Sequence, residues 1–209
     1  MINLDYTEHT VIEVRIVNDD LFELVVAKSG MTFTPGDCVA IYTADGKSRP
    51  YSIASGSNGE HLRFVVRRMD GGEVSPWLMD RNPGDTIRIT PPFGWFRPGQ
   101  DTDGAPFVFL ATGTGIAPFL SYIKTFQTPP KHCLYGVRRE ADAVGYEELR
   151  MQCPTHLAVS REQAEGYHHG RITDLLDLLP VDAVTHYYCC GLESMVNDVT
   201  EWLQGNGIG

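Results

Sequence analysis

Arg49-Pro50-Tyr51-Ser52 puts a guanidinium, a flat aromatic ring and a hydroxyl within four consecutive positions. In a strand, alternate residues project to opposite faces, so Arg49 and Tyr51 share one face and Ser52 takes the other. Those are the groups a flavin calls for: an aromatic face for its ring, a hydroxyl near N5 or O4, and a cation for its diphosphate. Taken alone, the tetrapeptide reads first as an edge strand with a tyrosine corner.

Downstream, Gly71-Gly72-Glu73-Val74-Ser75-Pro76 reads as a glycine turn feeding a helix, with Ser75 as N-cap and Pro76 at the first helical position. The free amides of such a terminus attract an anion. By itself this is equally a well-capped helix; following the Arg-Tyr-Ser strand, Gly72, Glu73, Val74 and Ser75 become the expected cradle of a flavin diphosphate.

A second glycine turn, Thr112-Gly113-Thr114-Gly115, follows the apolar run PFVFL and leads to Pro118 at a helix start. Glycines there let a pyrophosphate approach the backbone. The pattern is not G-x-G-x-x-G and lacks the lysine of a P-loop. Farther on, Ser160 and Arg161 close a strand, with Arg171 nearby, a hydroxyl and guanidinium set suited to the 2'-phosphate of NADP. Glu162 leaves room for the opposite reading, a carboxylate on the ribose diol of NAD, and solvated loop charges are the plain alternative. Finally Cys189-Cys190-Gly191 ends a buried strand ahead of a helix that contains Met195. A small soft side chain at Cys190 can border two stacked rings, whereas Cys189 reads as a core cysteine. His168 and His169 have no third ligand at metal-site spacing, so no metal is expected.

The elements needed to hold these groups come in two textures. Up to about residue 96 short alternating runs (VIEVRIV, LFELVVA, DCVAIYT, RPYSIAS, LRFVVRRM, DTIRIT) are separated by Gly, Pro, Asn and Asp turns, as in a small antiparallel barrel or sandwich. After the Gly- and Asp-rich stretch RPGQDTDGAP, apolar strands alternate with helical stretches, the mark of a parallel sheet covered on both faces. The expected domains are 1–98 and 104–209. A β-domain followed by an open α/β sheet leads us to expect the chemistry in a cleft at the carboxyl ends of the parallel strands.

Composition excludes several classes. The 209 residues carry a net charge of -10, which argues against a nucleic-acid partner. No run approaches the length of a membrane span, and the N-terminus lacks a basic segment followed by an apolar one. The five cysteines are an odd set without zinc or iron-sulfur spacing, so free thiols in a cytoplasmic protein are expected.

In order, RPYS, GEVS, GTGTGIAP, AVSREQ and CGLESM resemble the motif series of the ferredoxin-NADP reductase family over nearly the whole chain. The resemblance implies an FAD-binding antiparallel β-barrel followed by a Rossmann-like NADP-binding α/β domain. It implies that Tyr51 stacks on the isoalloxazine, Ser52 bonds near N5, and Arg49 and Ser75 hold the flavin diphosphate. It assigns Gly113 to Pro118 to the NADP diphosphate, Ser160, Arg161 and Arg171 to the 2'-phosphate, and Ser52 and Cys190 to the hydride path; Pro50, Gly191 and Met195 complete the cofactor-binding set. The stretch PPFGWF is similar to reductase components of aromatic-ring oxygenases. Family members usually continue past the last helix into another strand, whereas this sequence stops at Gly209, through a natural end or a shortened chain.

The expected activity is hydride transfer between NADPH and FAD, with single electrons passed to a separate carrier such as ferredoxin or flavodoxin, by a monomer. The alternatives are an NADH-dependent reductase serving an oxygenase iron-sulfur component, and a regulatory subunit that binds flavin without turnover.

Overall fold

The computed structural model describes residues 5–94, 96–97 and 104–208. Trp95 of the PPFGWF stretch, most of the inter-domain stretch and the final glycine lie outside the described residues. By compactness the chain forms two units: one runs to Arg97 and also takes Ala117–Thr125, the other ends its first stretch at Ile116 and resumes at Phe126.

The first unit is a six-stranded antiparallel sheet: β1 (Thr7–Asn18), β2 (Leu21–Ala27), β3 (Cys38–Tyr42), β4 (Ser48–Ser52), β5 (His61–Arg67) and β6 (Thr86–Ile89), in the order β4-β3-β6-β1-β2-β5. Alternation makes these strands: along β5, Leu62, Phe64 and Val66 point inward and join Phe22, Leu24, Val39 and Ile41 in one core. Each such side chain contributes roughly 1.5–3 kcal/mol on burial. The two outer strands meet just past Ser52, where the Ala54 N–H donates to the Arg63 carbonyl at 2.7 Å. That bond joins the sheet's edges and gives it barrel character.

Helix α1 (Val74–Met79) lies between β5 and β6, and helix α2 (Ala117–Thr125) packs with this unit as well. The Phe119 ring lies 5.6 Å from that of Phe96, and Thr125 Oγ1 accepts the Ser57 N–H at 2.9 Å.

The second unit is a parallel sheet of β7 (Phe107–Thr112), β8 (His132–Val137), β9 (Thr155–Val159), β10 (His168–His169) and β11 (His186–Cys190), ordered β10-β9-β8-β7-β11. Its inner strands are near-continuous apolar runs because both faces are covered. Helix α4 (Glu193–Gly205) buries Met195 and Val199, one turn apart, against Val108, Leu110 and Leu134. Helix α3 (Tyr146–Arg150) is short, and Ile172–Leu178, one of the helical stretches of this half, is a 3-10 segment. Leu179 is extended, as the residue before Pro180 is biased to be, and its N–H closes an i to i+3 bond with Leu176 at 2.9 Å. The two-residue strand β10 gives too little pattern to be read from sequence.

The order of this sheet reverses at β7. From it the chain steps outward through β8, β9 and β10, then returns to place β11 on the other side. In open α/β sheets, ligands bind at the carboxyl ends of the strands where the order reverses.

Candidate functional site

In the first unit the proposed flavin groups lie on β4, an end strand of the sheet whose ladder partner among the described residues is β3. Arg49 stands opposite Ile41 and Tyr51 opposite Val39, while Ser52 stands opposite Cys38. Arg49 and Tyr51 therefore share one face and Ser52 takes the other. The Arg49 guanidinium is exposed and, among the described residues, donates only to the Ser48 carbonyl, at 2.7 Å. Tyr51 is half-buried, and that burial pushes its phenol up to about 12, so the ring is neutral across the physiological range. Pro50 is exposed, and it costs nothing on an edge strand where its missing N–H is not needed.

Behind β4 runs a clamp that sequence reading missed. The buried Asp37 carboxylate is paired with Arg97 and accepts the Thr34 N–H at 2.8 Å, while the Asp37 carbonyl accepts the Ile53 N–H at 3.0 Å. Arg97 also donates to the carbonyls of Pro35 and Phe96, each at 3.1 Å. The far end of the RPYS strand is thus tied to a buried ion pair. Partners 60 positions apart leave no local pattern.

The glycine turn before α1 departs from its expected capping. The helix begins at Val74 with Glu73 at the N-cap position, so Ser75 and Pro76 lie inside the first turn rather than at its start. The Ser75 hydroxyl is buried and accepts the Met69 N–H at 3.0 Å, which ties back the Gly71-Gly72 loop instead of capping. Val74 is buried, leaving Gly72 and Glu73 as the exposed members of that set. Glu73 pairs with Lys47, the residue next to β4, and so ties the Gly71-Gly72 turn to the RPYS strand.

In the second unit the turns after β7 and β11 meet. Gly113–Ile116 forms a 3-10 turn, with Gly113 at φ +54° and open space where a side chain would project. Thr112 Oγ1 accepts the Leu192 N–H at 2.8 Å. A Cβ on Gly115 would collide with the Cys190 carbonyl, and one on Gly191 with the Thr112 hydroxyl. Both glycines are required by this backbone contact at the switch point of the sheet. Thr114 is half-exposed beside them.

Cys190 and Cys189 point to opposite faces of β11. Cys189 packs against the core, and its burial pushes the thiol up to about 12. Cys190 carries the carbonyl that meets Gly115 and is half-buried. Pro118 and Met195 are both buried, so their part is to start α2 and to fill the core, not to present a surface to a ligand.

The carboxyl ends of β8 and β9 form a basic rim. The Arg161 N–H donates to the Arg138 carbonyl at 2.9 Å, placing the exposed Arg138, Arg139 and Arg161 side by side at adjacent strand ends. Among the described residues none of these three guanidinium groups has a carboxylate partner. In a chain of net charge -10, unpaired cations gathered at strand ends suit a phosphate. The Ser160 hydroxyl donates to the Val137 carbonyl at 3.1 Å, which leaves its lone pairs outward. Glu162 Oε1 accepts the Glu140 N–H at 2.7 Å. Exposed Arg171 leads into the 3-10 segment, where Asp174 accepts the Arg171 N–H at 2.8 Å and pairs with His168 at 3.1 Å. The His168 contact, and then the backbone N–H, hold the Asp174 carboxyl below its ordinary range. Sequence reading names Arg138 and Arg139 only among the ten arginines that could line a cleft; their adjacency to Arg161 appears only once β8 and β9 pair.

Residues 7–97 match the profile of the oxidoreductase FAD-binding domain and residues 109–201 that of the oxidoreductase NAD-binding domain. The chain is 31% identical over 178 residues to ferredoxin-NADP reductase B of Sorangium cellulosum, covering 75% of this chain and 72% of that protein. The chain belongs to the ferredoxin-NADP reductase family. It carries that family's two cofactor domains in order, one for FAD and one for NAD(P). It is also 29% identical over 202 residues to the reductase component of the naphthalene 1,2-dioxygenase system of Pseudomonas putida, matching 90% of this chain but 61% of that relative. The chain thus spans about three fifths of that longer protein's length. The fold overlays a ferredoxin NADP+ reductase from Neisseria gonorrhoeae, solved with FAD and NADP, at TM-score 0.86 and 23% identity over 97% of this chain and 92% of that one. No helix among the described residues is long and apolar enough to cross a membrane.

Proposed function

We propose that the chain is a cytoplasmic flavoprotein reductase that passes a hydride between NADPH and FAD and hands single electrons to a separate iron-sulfur or flavin carrier. The observation that carries the nucleotide half of this reading is the meeting of Gly115 with Cys190 and Gly191 at the switch point, flanked by the unpaired Arg138, Arg139 and Arg161. Residues 104–209 hold the nucleotide in this reading: the Thr112–Gly115 turn takes the diphosphate, and Ser160, Arg161 and Arg171 take the 2'-phosphate. The exposed guanidinium groups of Arg138, Arg139 and Arg161, without a carboxylate partner among the described residues, support NADPH over NADH.

Residues 1–98 hold FAD, which supplies the two-electron to one-electron chemistry that no side chain here can. The exposed Arg49 holds its diphosphate with Gly72 and Glu73, and the neutral Tyr51 ring covers the isoalloxazine. Ser52 offers its hydroxyl to the N5 edge and Cys190 borders the nicotinamide. Among the described residues none of the five cysteines is in a disulfide, which suits a reducing compartment.

A second reading is the reductase component of a multicomponent oxygenase, favoured by the 90% coverage of this chain in the naphthalene dioxygenase comparison. The electron acceptor is then an oxygenase iron-sulfur protein. Steady-state reduction of a one-electron dye by FAD-loaded protein tests the main reading: kcat/KM for NADPH should exceed that for NADH at least tenfold. A preference for NADH points to the oxygenase branch, and no turnover with either removes the enzyme assignment.

A further inference from the structure

Cys38 lies directly opposite Ser52 in the β3–β4 ladder, with its Sγ 3.3 Å from the Ser52 Oγ and either atom able to donate. Its backbone is pinned from the other side: the Cys38 N–H donates to the Phe93 carbonyl at 2.6 Å, and the Phe93 N–H donates to the Cys38 carbonyl at 2.8 Å. The carbonyl of Asp37, one residue earlier, accepts the Ile53 N–H at 3.0 Å, which prevents the two strands from slipping past one another. The thiol is therefore held against the hydroxyl rather than meeting it by chance.

We propose that Cys38 is a positioning residue whose thiol lets the Ser52 hydroxyl reverse its hydrogen bond when the flavin changes redox state. The proposal rests on the assignment of Ser52 to the flavin N5 edge. A hydroxyl facing that edge must donate while the nitrogen carries only a lone pair, and must accept once the nitrogen carries hydrogen. Each reversal requires a second partner that can switch in the opposite sense. A carboxylate only accepts and a backbone N–H only donates, whereas a thiol does both. With oxidised flavin the Cys38 S–H donates to Ser52 Oγ and the Ser52 O–H points outward. With reduced flavin the Ser52 O–H turns to Cys38 Sγ and its lone pairs face outward. No covalent bond changes; only the direction of two hydrogen bonds does.

The test compares wild type, Cys38→Ala and Cys38→Ser, each loaded with FAD. The Cys38 S–H stretching band, assigned by its loss in Cys38→Ala, should move to higher frequency when the wild-type flavin is reduced, because the S–H then stops donating. Loss of one hydrogen bond of ordinary strength should slow flavin reduction by NADPH about three- to tenfold in Cys38→Ala, and Cys38→Ser should restore it. The flavin midpoint potential should shift in the alanine variant and return in the serine variant. An S–H band identical in both redox states, or an alanine variant with wild-type rate and potential, overturns the proposal. Failure of the flavin assignment is separately visible as wild-type protein that takes up no FAD, and that result overturns the proposal with it.

Discussion

Gly115 and Gly191 leave no room for a side chain between them: a Cβ on Gly115 would stand 2.7 Å from the Gly191 Cα, and one on Gly191 would stand 2.8 Å from the Thr112 nitrogen. Gly191 also adopts φ +144°, which L side chains rarely take. Gly191→Ala should therefore cost about 2–4 kcal/mol through overpacking and backbone strain. Thermal unfolding should fall by roughly 5–15 °C, and nucleotide affinity should drop in calorimetry while FAD is still bound. An unchanged melting temperature and nucleotide affinity would contradict the close approach at the switch point.

Arg161 has no carboxylate partner among the described residues and stands beside Arg138 at the strand ends. If it grips a 2'-phosphate, Arg161→Ala should lose about 1.5–3 kcal/mol of charge-assisted bonding, raising KM for NADPH ten- to a hundredfold. KM for NADH should barely move. Equal losses with both nucleotides would mean that Arg161 does not read the phosphate.

Arg97 compensates Asp37, a carboxylate buried under the strand that carries Tyr51 and Ser52. Arg97→Leu strands that charge and should destabilise the protein by about 3 kcal/mol. Because Asp37 also braces Ile53, FAD affinity should weaken in parallel, as measured by fluorescence quenching on binding. Full stability with full affinity would show that the clamp is dispensable.

His9 is wholly buried; its Nδ1 donates to the Ala27 carbonyl at 2.8 Å, and its Nε2 meets the Thr7 hydroxyl at 2.7 Å. Burial lowers its folded-state pKa, and likewise that of His132, where the like charge of the neighbouring His156 adds to the effect. With the folded value below the unfolded one, the unfolded chain binds more protons as pH drops below about 6.5. Stability should therefore be full above that pH and decline as pH falls from there through the folded pKa. His9→Gln should flatten this slope in melts recorded at successive pH values; an unaltered slope would place its origin elsewhere.

The strands were legible because alternation in runs such as LRFVVRR and unbroken apolar runs such as FVFLA report burial on one face or two. The glycines of both nucleotide-side turns were legible because backbone contact admits few other residues. Ser75 was misread because a serine before proline signals a cap, yet its hydroxyl turns back to Met69, and the helix starts one residue earlier than Ser75. The Arg97–Asp37 clamp, the Arg138–Arg161 adjacency and the Cys38–Ser52 pair join residues far apart in the chain, and only strand register creates them.

In the proposed mechanism a nicotinamide reduces a flavin held by Arg49, Tyr51 and Ser52. Anaerobic mixing of the FAD-loaded protein with NADPH in a stopped-flow spectrometer should bleach the flavin absorbance on a catalytic timescale, and Tyr51→Ala and Arg49→Ala should lose FAD before they lose the fold. A bound flavin that stays yellow under excess NADPH and NADH alike would rule this mechanism out.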